Sequence, residues 1–285
     1  MKGLVILAAV VTVTSAQGNA GSRNPIFHIE CGDSFGDRVT IGTEVPVGRY
    51  PWLAVIGRID PFEEGFFNAE CGGTLITNRH VLSAAHCFAK TFKPNLVRLG
   101  EHNVTSNDDG AQDFTISRII LDEYSFTTKQ NDVALITLDR DVTFNPRIQP
   151  ICLPFRSDLR HNKFVGNLMT VAGWGRTEDP DSRGSDVPLE AQVQVVTLDR
   201  CQEAYGSITL PSPIVESQLC AGTGGADTCG GDSGGPLHYL DLQEERYYLA
   251  GITSFGKTGK CGSAEFPGVY SRVGSYLEWL EFNIL

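Results

Sequence analysis

Residues 227–236 read DTCGGDSGGP. Four glycines surround a single serine, Ser233, and glycine allows a backbone to adopt unusual dihedral angles and to approach a ligand closely. A serine in such a loop can expose its hydroxyl beside backbone N–H groups, which stabilise the oxyanion that forms when a carbonyl is attacked. A bare GxSG pattern would indicate only a glycine-rich surface turn, but the whole stretch in this order predicts a nucleophilic serine.

Such a site needs a base and an acid. A serine hydroxyl is a poor nucleophile unless a base accepts its proton, and the candidate base is His86, in the segment SAAHC after the β-type run HVLSA. The base in turn needs an orienting carboxylate. The candidate is Asp132, directly before the apolar run VALI. Taken singly, His86 could be a structural histidine and Asp132 an ordinary residue at the start of a strand.

The composition is that of an ordinary globular protein. The chain has 285 residues, 41% of them hydrophobic and 20% charged, which is enough for one large all-β domain or two smaller ones. Short β-type runs such as WLAVIG, GGTLI, VALITL and VQVVTL alternate with turn residues, a spacing typical of an antiparallel barrel or sandwich. Near the C-terminus, apolar residues at i, i+3 and i+4 spacings predict one amphipathic helix: Val273, Tyr276, Leu277, Leu280 and Ile284.

The net charge and the N-terminal segment indicate the compartment. A formal net charge of -11 argues against nucleic acid or an anionic membrane as the main partner and suits solubility in an extracellular fluid. Residues 1–16 contain one lysine, an apolar run from Leu4 to Val13 and then small residues, which predicts a signal peptide. The run is too short for a membrane anchor. We therefore expect a secreted protein.

Three segments taken together resemble the chymotrypsin/trypsin family of serine proteases: SAAHC around His86, NDVALI around Asp132 and GDSGGP around Ser233. Further matching segments are PWLAVI, CGGTLI, VRLGEHN, ICLP, VAGWG, LCAG and PGVYSRV. The resemblance implies an all-β fold of two six-stranded antiparallel β-barrels with a C-terminal α-helix. It places a peptidase domain at residues 39–285, and we interpret the Gly-, Asn- and Ser-rich residues 17–38 as a propeptide.

The resemblance also implies a role for each residue of the site. Ser233 would attack the scissile carbonyl, His86 would accept its proton and pass it to the leaving amine, and Asp132 would hold the imidazole. The N–H groups of Gly231 and Ser233 would form the oxyanion hole, and Ser254 would support the buried Asp132. No cofactor is expected for catalysis.

Specificity for Arg or Lys is implied by the residues of the primary pocket. Asp227 lies six residues before Ser233, where trypsin-like members carry the acid at the base of that pocket. A carboxylate in a desolvated slot favours a cation, and arginine can bind it through a bidentate fork. Gly256 and Gly268 match the two wall positions and leave the pocket open, while the segment of Ser254 pairs with the substrate backbone.

The eight cysteines of a secretory chain favour disulfides over zinc ligands. Their number alone would allow about 105 connectivities. The family pattern implies three pairs, and the remaining two cysteines then tether the propeptide to the domain. The expected pairs are Cys71–Cys87, Cys201–Cys220, Cys229–Cys261 and, by elimination, Cys31–Cys152.

Activation in this family creates a new N-terminus whose ammonium pairs with the acid before the catalytic serine, here Asp232. Aligning on Gly42 places the cut between Arg38 and Val39, a bond that fits a trypsin-like activator or self-cleavage. The segment departs from the family's Ile-Val-Gly-Gly pattern because its third residue is Ile41, which is stiff and does not easily use a positive φ.

Two further signals lie in the loop after residue 100. The tripeptide NVT that begins at Asn103 is a glycosylation sequon. The acidic stretch 101–113 matches a family loop that binds calcium in some members, and several oxygen ligands in a flexible loop suit Ca²⁺. The candidate ligands are Glu101, Asp108 and Asp113. A solvated acidic loop without a structural Ca²⁺ is an equally open interpretation.

The motifs look most like arthropod haemolymph proteases of the clotting, Toll and melanisation cascades, which belong to innate immunity. Many of these carry a clip domain with six cysteines of its own, whereas here only Cys31 precedes the peptidase domain, so we expect a relative without one. A digestive or venom role is open, as is an inactive homologue that acts as a binding protein. The implied partners are protein substrates with Arg or Lys at the cleavage site, an activating protease, and serpin-type or other protease inhibitors.

Overall fold

The computed structural model describes residues 23–24, 29–34, 43–59, 67–89, 93–106, 110–176, 184–206, 213–222, 232–257 and 265–284. The predicted signal peptide, residues 1–16, lies outside these stretches. Within them, short antiparallel strands predominate, as the β-type runs of the sequence predict. Three two-residue strands come first along the chain: β1 (Arg23–Asn24), β2 (Ile29–Glu30) and β3 (Thr43–Glu44).

The first barrel is a closed, antiparallel, six-stranded barrel in the order β4-β5-β6-β9-β8-β7. Its strands are rich in β-branched and leucine side chains, which pack well on a pleated surface. The bounds are β4 (Leu53–Ile59), β5 (Phe67–Leu75), β6 (His80–Ser83), β7 (Leu96–Leu99), β8 (Gln112–Leu121) and β9 (Ala134–Leu138).

The second barrel has the strand order β10-β13-β14-β15-β12-β11 and closes because β10 also pairs with β11. Strand β3 adds to its outer edge by pairing with β11. The prediction of two six-stranded antiparallel barrels is therefore confirmed. The bounds are β10 (Leu168–Gly173), β11 (Leu189–Val196), β12 (Gln218–Ala221), β13 (Pro236–Asp241), β14 (Arg246–Phe255) and β15 (Gly268–Arg272).

Three helices occur in the described part of the chain: α1 (Ser157–Arg160), α2 (Leu198–Gly206) and α3 (Leu277–Ile284). Helix α3 is the predicted C-terminal helix. It buries Leu277 and Leu280 in the core cluster that includes the first barrel, while Phe282 on its other face is exposed. No helix among the described residues is long and apolar enough to cross a membrane.

A buried aromatic cluster joins the two barrels. Trp52, just before β4, is fully buried and donates from Nε1 to Nε2 of His238 on β13 at 2.8 Å. The rings of Tyr50, Trp52 and Tyr247 lie 4.8, 5.5 and 6.0 Å from the His238 ring. Since Trp52 donates to Nε2, the His238 proton sits on Nδ1, and the imidazole is neutral.

Burial lowers the pKa of His238 to about 3, because it removes the hydration that would stabilise the imidazolium. The unfolded chain titrates near the ordinary histidine value of about 6.5. Between these two values the unfolded state binds a proton that the folded state does not. The contribution of His238 to stability is therefore complete above pH 6.5 and is lost progressively as the pH falls towards 3.

We predict that His238→Gln flattens the acid limb of the stability profile. Glutamine keeps an acceptor for Trp52 and does not titrate, so a slope of up to about 1.4 kcal/mol per pH unit disappears below pH 6.5. Urea unfolding at several values between pH 7 and pH 4 measures this slope. The control is the same substitution at the exposed His161. Equal pH slopes for wild type and His238→Gln would contradict the assignment.

Candidate active site

His86 is placed by a short 3₁₀ turn, Ala85–Cys87, that follows β6. Ala84 and Ala85 are fully buried, so the turn packs closely against the first barrel, where larger side chains would not fit. The disulfide from Cys87 to Cys71 on β5 fixes the far end of the turn. The His86 side chain itself is 22% exposed and therefore has access to a ligand.

Asp132 holds His86 through two hydrogen bonds. Its Oδ1 accepts the backbone N–H of His86 at 2.9 Å, and its Oδ2 lies 2.7 Å from His86 Nδ1. A carboxylate accepts, so the imidazole proton is on Nδ1. Nε2 is left with its lone pair, which is the form of imidazole that can act as a base.

The second barrel also binds Asp132, which is only 1% exposed. Ser254 on β14 donates its hydroxyl to Asp132 Oδ2, and Ser271 on β15 donates to the Asp132 backbone carbonyl at 2.8 Å. A buried carboxylate is costly unless hydrogen bonds compensate for its lost hydration. Here its side-chain oxygens receive three donors, two from His86 and one from Ser254.

The loop that carries Ser233 lies against the His86 turn. The Ser233 carbonyl accepts the N–H of Gly72 at 2.8 Å and lies 3.8 Å from Cys87 Sγ. The next residue, Gly234, has φ +82°, and a Cβ there would lie 2.2 Å from Ser83 Oγ. Only glycine permits that approach. The structure thus brings together the loops of all three predicted triad residues.

Asp232, predicted to pair with a new N-terminus, has its carboxylate beside two glycines. Its Oδ1 accepts the N–H of Gly175 at 2.9 Å. A Cβ at Gly175 would lie 2.2 Å from Asp232 Oδ2, and one at Gly173 would lie 2.6 Å from Oδ1. Because these glycines have no side chains, the Asp232 carboxylate can lie beside them.

Two of these contacts were missed by sequence reasoning. Gly175 lies in the segment VAGWG, which served above only as a match to the family. Its glycine could have indicated a close approach of another group to the backbone. Ser271 lies in PGVYSRV, and nothing local to that segment indicates that its hydroxyl reaches Asp132. Its role depends on β15 lying beside β14 in the folded barrel.

The predicted pocket is described only in part. Gly256 follows β14, and a Cβ there would meet no atom of the described residues within 4 Å. Gly268 begins β15 and pairs with Ala221 on β12. Asp227, the predicted base of the pocket, and Gly231, the predicted oxyanion donor, lie outside the described residues. The specificity assignment therefore stays a prediction.

Three disulfides are present among the described residues: Cys31–Cys152, Cys71–Cys87 and Cys201–Cys220. They are the pairs that the resemblance implies for these six cysteines. Cys229 and Cys261, the fourth expected pair, lie outside the described residues, as do Arg38 and Val39 at the predicted activation site. At the sequon, Asn103 Oδ1 accepts from the Thr105 N–H at 3.0 Å and from its hydroxyl at 2.7 Å; its glycosylation stays a prediction.

The predicted calcium ligands do not form an open set of oxygens. The Arg98 guanidinium binds both oxygens of Asp113 and one oxygen of Glu101. The other Glu101 oxygen accepts the His102 N–H at 2.8 Å. Asp108 lies outside the described residues. The described ligands therefore do not fit a calcium ion, because a cationic side chain already lies between their carboxylates.

Comparison with known proteins identifies the family to which this chain belongs. The trypsin family model matches residues 39–280. The chain is 37% identical over 267 residues to a CLIP domain-containing serine protease, HP8, of Bombyx mori, covering 88% of this chain and 70% of that protein.

Two further relatives are a proclotting enzyme and a venom protease. Identity to the proclotting enzyme of Tachypleus tridentatus is 38% over 255 residues, covering 85% of this chain and 65% of that protein. Identity to a venom protease of Bombus pensylvanicus is 38% over 244 residues, covering 83% of this chain and 95% of that protein. The chain belongs to the trypsin family of serine proteases.

Proposed function

We propose that this protein is a secreted serine endopeptidase, made as an inactive precursor, that cleaves peptide bonds after Arg or Lys. The observation that carries the proposal is the buried Asp132 carboxylate. It fixes the tautomer of His86 and leaves Nε2 as a base beside the loop of Ser233. An imidazole held in this way can act as a base, which favours catalysis over a purely binding role.

The proposed chemistry is acyl transfer in two steps. His86 Nε2 takes the Ser233 hydroxyl proton as Oγ attacks the scissile carbonyl, and the N–H groups of Gly231 and Ser233 bind the resulting oxyanion. Collapse of the tetrahedral intermediate breaks the C–N bond, and His86 gives its proton to the leaving amine. Water, deprotonated by the same imidazole, then attacks the acyl carbon; the bond to Ser233 Oγ breaks, the imidazolium returns its proton to Oγ, and the acid is released. Asp132 stabilises the imidazolium throughout.

The proposed specificity depends on Asp227 at the base of a pocket with glycine walls. Among the described residues, no atom lies within 4 Å of where a Cβ at Gly256 would be. Phe255, before it, packs against Tyr205 with ring centroids 6.0 Å apart, and the Phe266 ring lies 5.8 Å from the same ring. These aromatic contacts hold the end of β14 that leads into the predicted pocket wall.

Cleavage-site profiling on a peptide library tests the proposal. After activation we expect cleavage after Arg and Lys, with glutamine at that position disfavoured about 10⁴-fold, because a buried carboxylate would be left unpaired. Asp227→Ser should lose this preference. The matched control, Asp199→Ser, removes an exposed charge from α2 and should keep it.

Two outcomes would contradict the proposal. Cleavage mainly after Phe or Tyr would contradict the pocket assignment. No turnover by the activated protein, with Ser233→Ala behaving identically to wild type, would instead favour the inactive homologue.

Activation by cleavage at Arg38–Val39 is supported by the position of β3. The chain just after the proposed cut pairs with the second barrel, where Glu44 lies opposite Leu189 and Leu189 lies opposite Gly173. Two strand spacings are about 10 Å, and Gly173 borders the Asp232 carboxylate. The five residue-to-residue steps from Val39 to Glu44 reach up to about 17 Å, so a Val39 ammonium can reach Asp232.

The propeptide is tethered to the domain after such a cut. Cys31 is bonded to Cys152, and Arg246 Nη1 contacts Asp33 Oδ2 at 2.5 Å and donates to the Cys31 carbonyl at 2.9 Å. These contacts support a division into a propeptide at residues 17–38 and a peptidase domain at residues 39–285 that stay covalently joined.

We predict that Arg38→Ala stays inactive after limited treatment with trypsin. The wild-type protein should gain activity and a new N-terminus at Val39, because only that cut releases the ammonium that pairs with Asp232. Turnover of an Arg-amide substrate and N-terminal mass analysis measure both. Arg23→Ala, which removes the other propeptide arginine, serves as the control and should activate normally. Wild-type activity of Arg38→Ala would refute this cleavage site.

We propose an extracellular proteolytic cascade as the biological setting. The relatives include melanization protease 1 of Drosophila melanogaster, 37% identical over 276 residues, and the proclotting enzyme already described. The proposed partners are an upstream activating protease, protein substrates with an exposed Arg or Lys, and protease inhibitors of the serpin type. The venom protease among the relatives supports a venom role as the second candidate.

A further inference from the structure

A single arginine on β7 binds acidic residues on both sides of the β7–β8 connection. Arg98 on β7 is the direct cross-strand neighbour of Asp113 on β8. Its Nε and Nη2 donate to the two carboxylate oxygens of Asp113 at 2.6 and 2.9 Å, and its Nη1 donates to Glu101 Oε2 at 3.3 Å. One guanidinium thus bridges both ends of the acidic stretch 101–113.

This cluster is largely removed from water. The side chains of Arg98 and Glu101 are 10% and 0% exposed, and Asp113 is 37% exposed. The Arg98 guanidinium also lies 4.3 Å from the centre of the Phe67 ring. The hydrogen bonds to Asp113 raise the pKa of Arg98 above its usual value, so its charge is permanent. A carboxylate as buried as Glu101 requires a cation nearby, and Arg98 provides it.

A calcium ion would need the same oxygens. Ca²⁺ takes six to eight oxygen ligands at about 2.3–2.6 Å. The four carboxylate oxygens of Glu101 and Asp113 already accept from Arg98 and from the His102 N–H. A calcium ion at that distance would displace the guanidinium and would be repelled by its positive charge.

We propose that Arg98 takes the place of a structural calcium ion at Glu101 and Asp113, so that these two carboxylates, at the described ends of the β7–β8 connection, are held by an internal cation and do not bind calcium. The family resemblance allowed a calcium site here, and the side chains present disagree with it. This inference does not depend on the proposed peptidase activity, since it concerns how the loop is held.

The loop that Arg98 organises supports the site. The carbonyl of His102 accepts Trp174 Nε1 at 2.9 Å, and His102 Nε2 lies 3.0 Å from Glu44 Oε1 on β3. Trp174 directly precedes Gly175, whose N–H binds Asp232. Arg98 is therefore linked to the segment beside Asp232 through Glu101, His102 and Trp174.

Thermal unfolding of the full chain tests the inference. Millimolar CaCl₂ and EDTA should leave the wild-type melting temperature unchanged, and calorimetric titration with CaCl₂ should show no binding. Arg98→Gln should lower the melting temperature by roughly 5–10 °C, because a buried carboxylate loses its counter-charge. The control is Arg118→Gln, the same change at an exposed position of β8. It should leave the melting temperature unchanged.

Two results would overturn the inference: a calcium-dependent rise of several degrees in the wild-type melting temperature, or an Arg98→Gln protein as stable as Arg118→Gln. If Arg98→Gln does not fold, Asp113→Asn keeps the test available, because it removes one partner of the fork and leaves Glu101 paired. It should lower the melting temperature by less and stay insensitive to calcium. Stabilisation of Asp113→Asn by calcium would count against Arg98 as the cation.

Discussion

The Asp132 carboxylate is buried between two barrels and binds groups from both of them. The first barrel contributes the backbone N–H and Nδ1 of His86, and the second contributes the hydroxyl of Ser254. Ser271 of the second barrel binds the Asp132 backbone carbonyl and so fixes the backbone that carries the carboxylate. A buried charge in that position depends on the donors that replace its hydration. The relative position of the barrels and the tautomer of the imidazole therefore depend on the same carboxylate, which links the stability of the fold to the proposed chemistry.

The Ser233 loop is held by close approaches to glycine backbone rather than by contacts between large side chains. Gly234 packs against Ser83, and Gly173 and Gly175 leave room for the Asp232 carboxylate. These contacts determine where the Ser233 loop lies relative to the His86 turn. A methyl group added at Gly234 would force the loop away, because the neighbouring atoms are the Ser83 hydroxyl and the backbone of Gly72 and Ala84. One added at Gly173 or Gly175 would displace the Asp232 carboxylate.

Much of the fold and part of the site could be predicted from the sequence. The β-type runs predicted an antiparallel barrel or sandwich, and the family resemblance implied the two barrels that the structure has. The motifs around His86 and Asp132 lie next to each other as expected. Ser271 could not be found, since its contact with Asp132 arises only from strand pairing. The calcium interpretation considered the oxygens of one acidic stretch. It did not include Arg98, which precedes that stretch and faces it only across the β7–β8 ladder.

The most direct test of the account is covalent labelling of the activated protein with a fluorophosphonate, located by peptide mass spectrometry. Phosphorus is attacked by a serine oxygen only when a base removes its proton. The account predicts one adduct, on Ser233, that forms rapidly in the wild type and is lost in His86→Ala. An adduct on another residue, or labelling of Ser233 at the wild-type rate without His86, would contradict it.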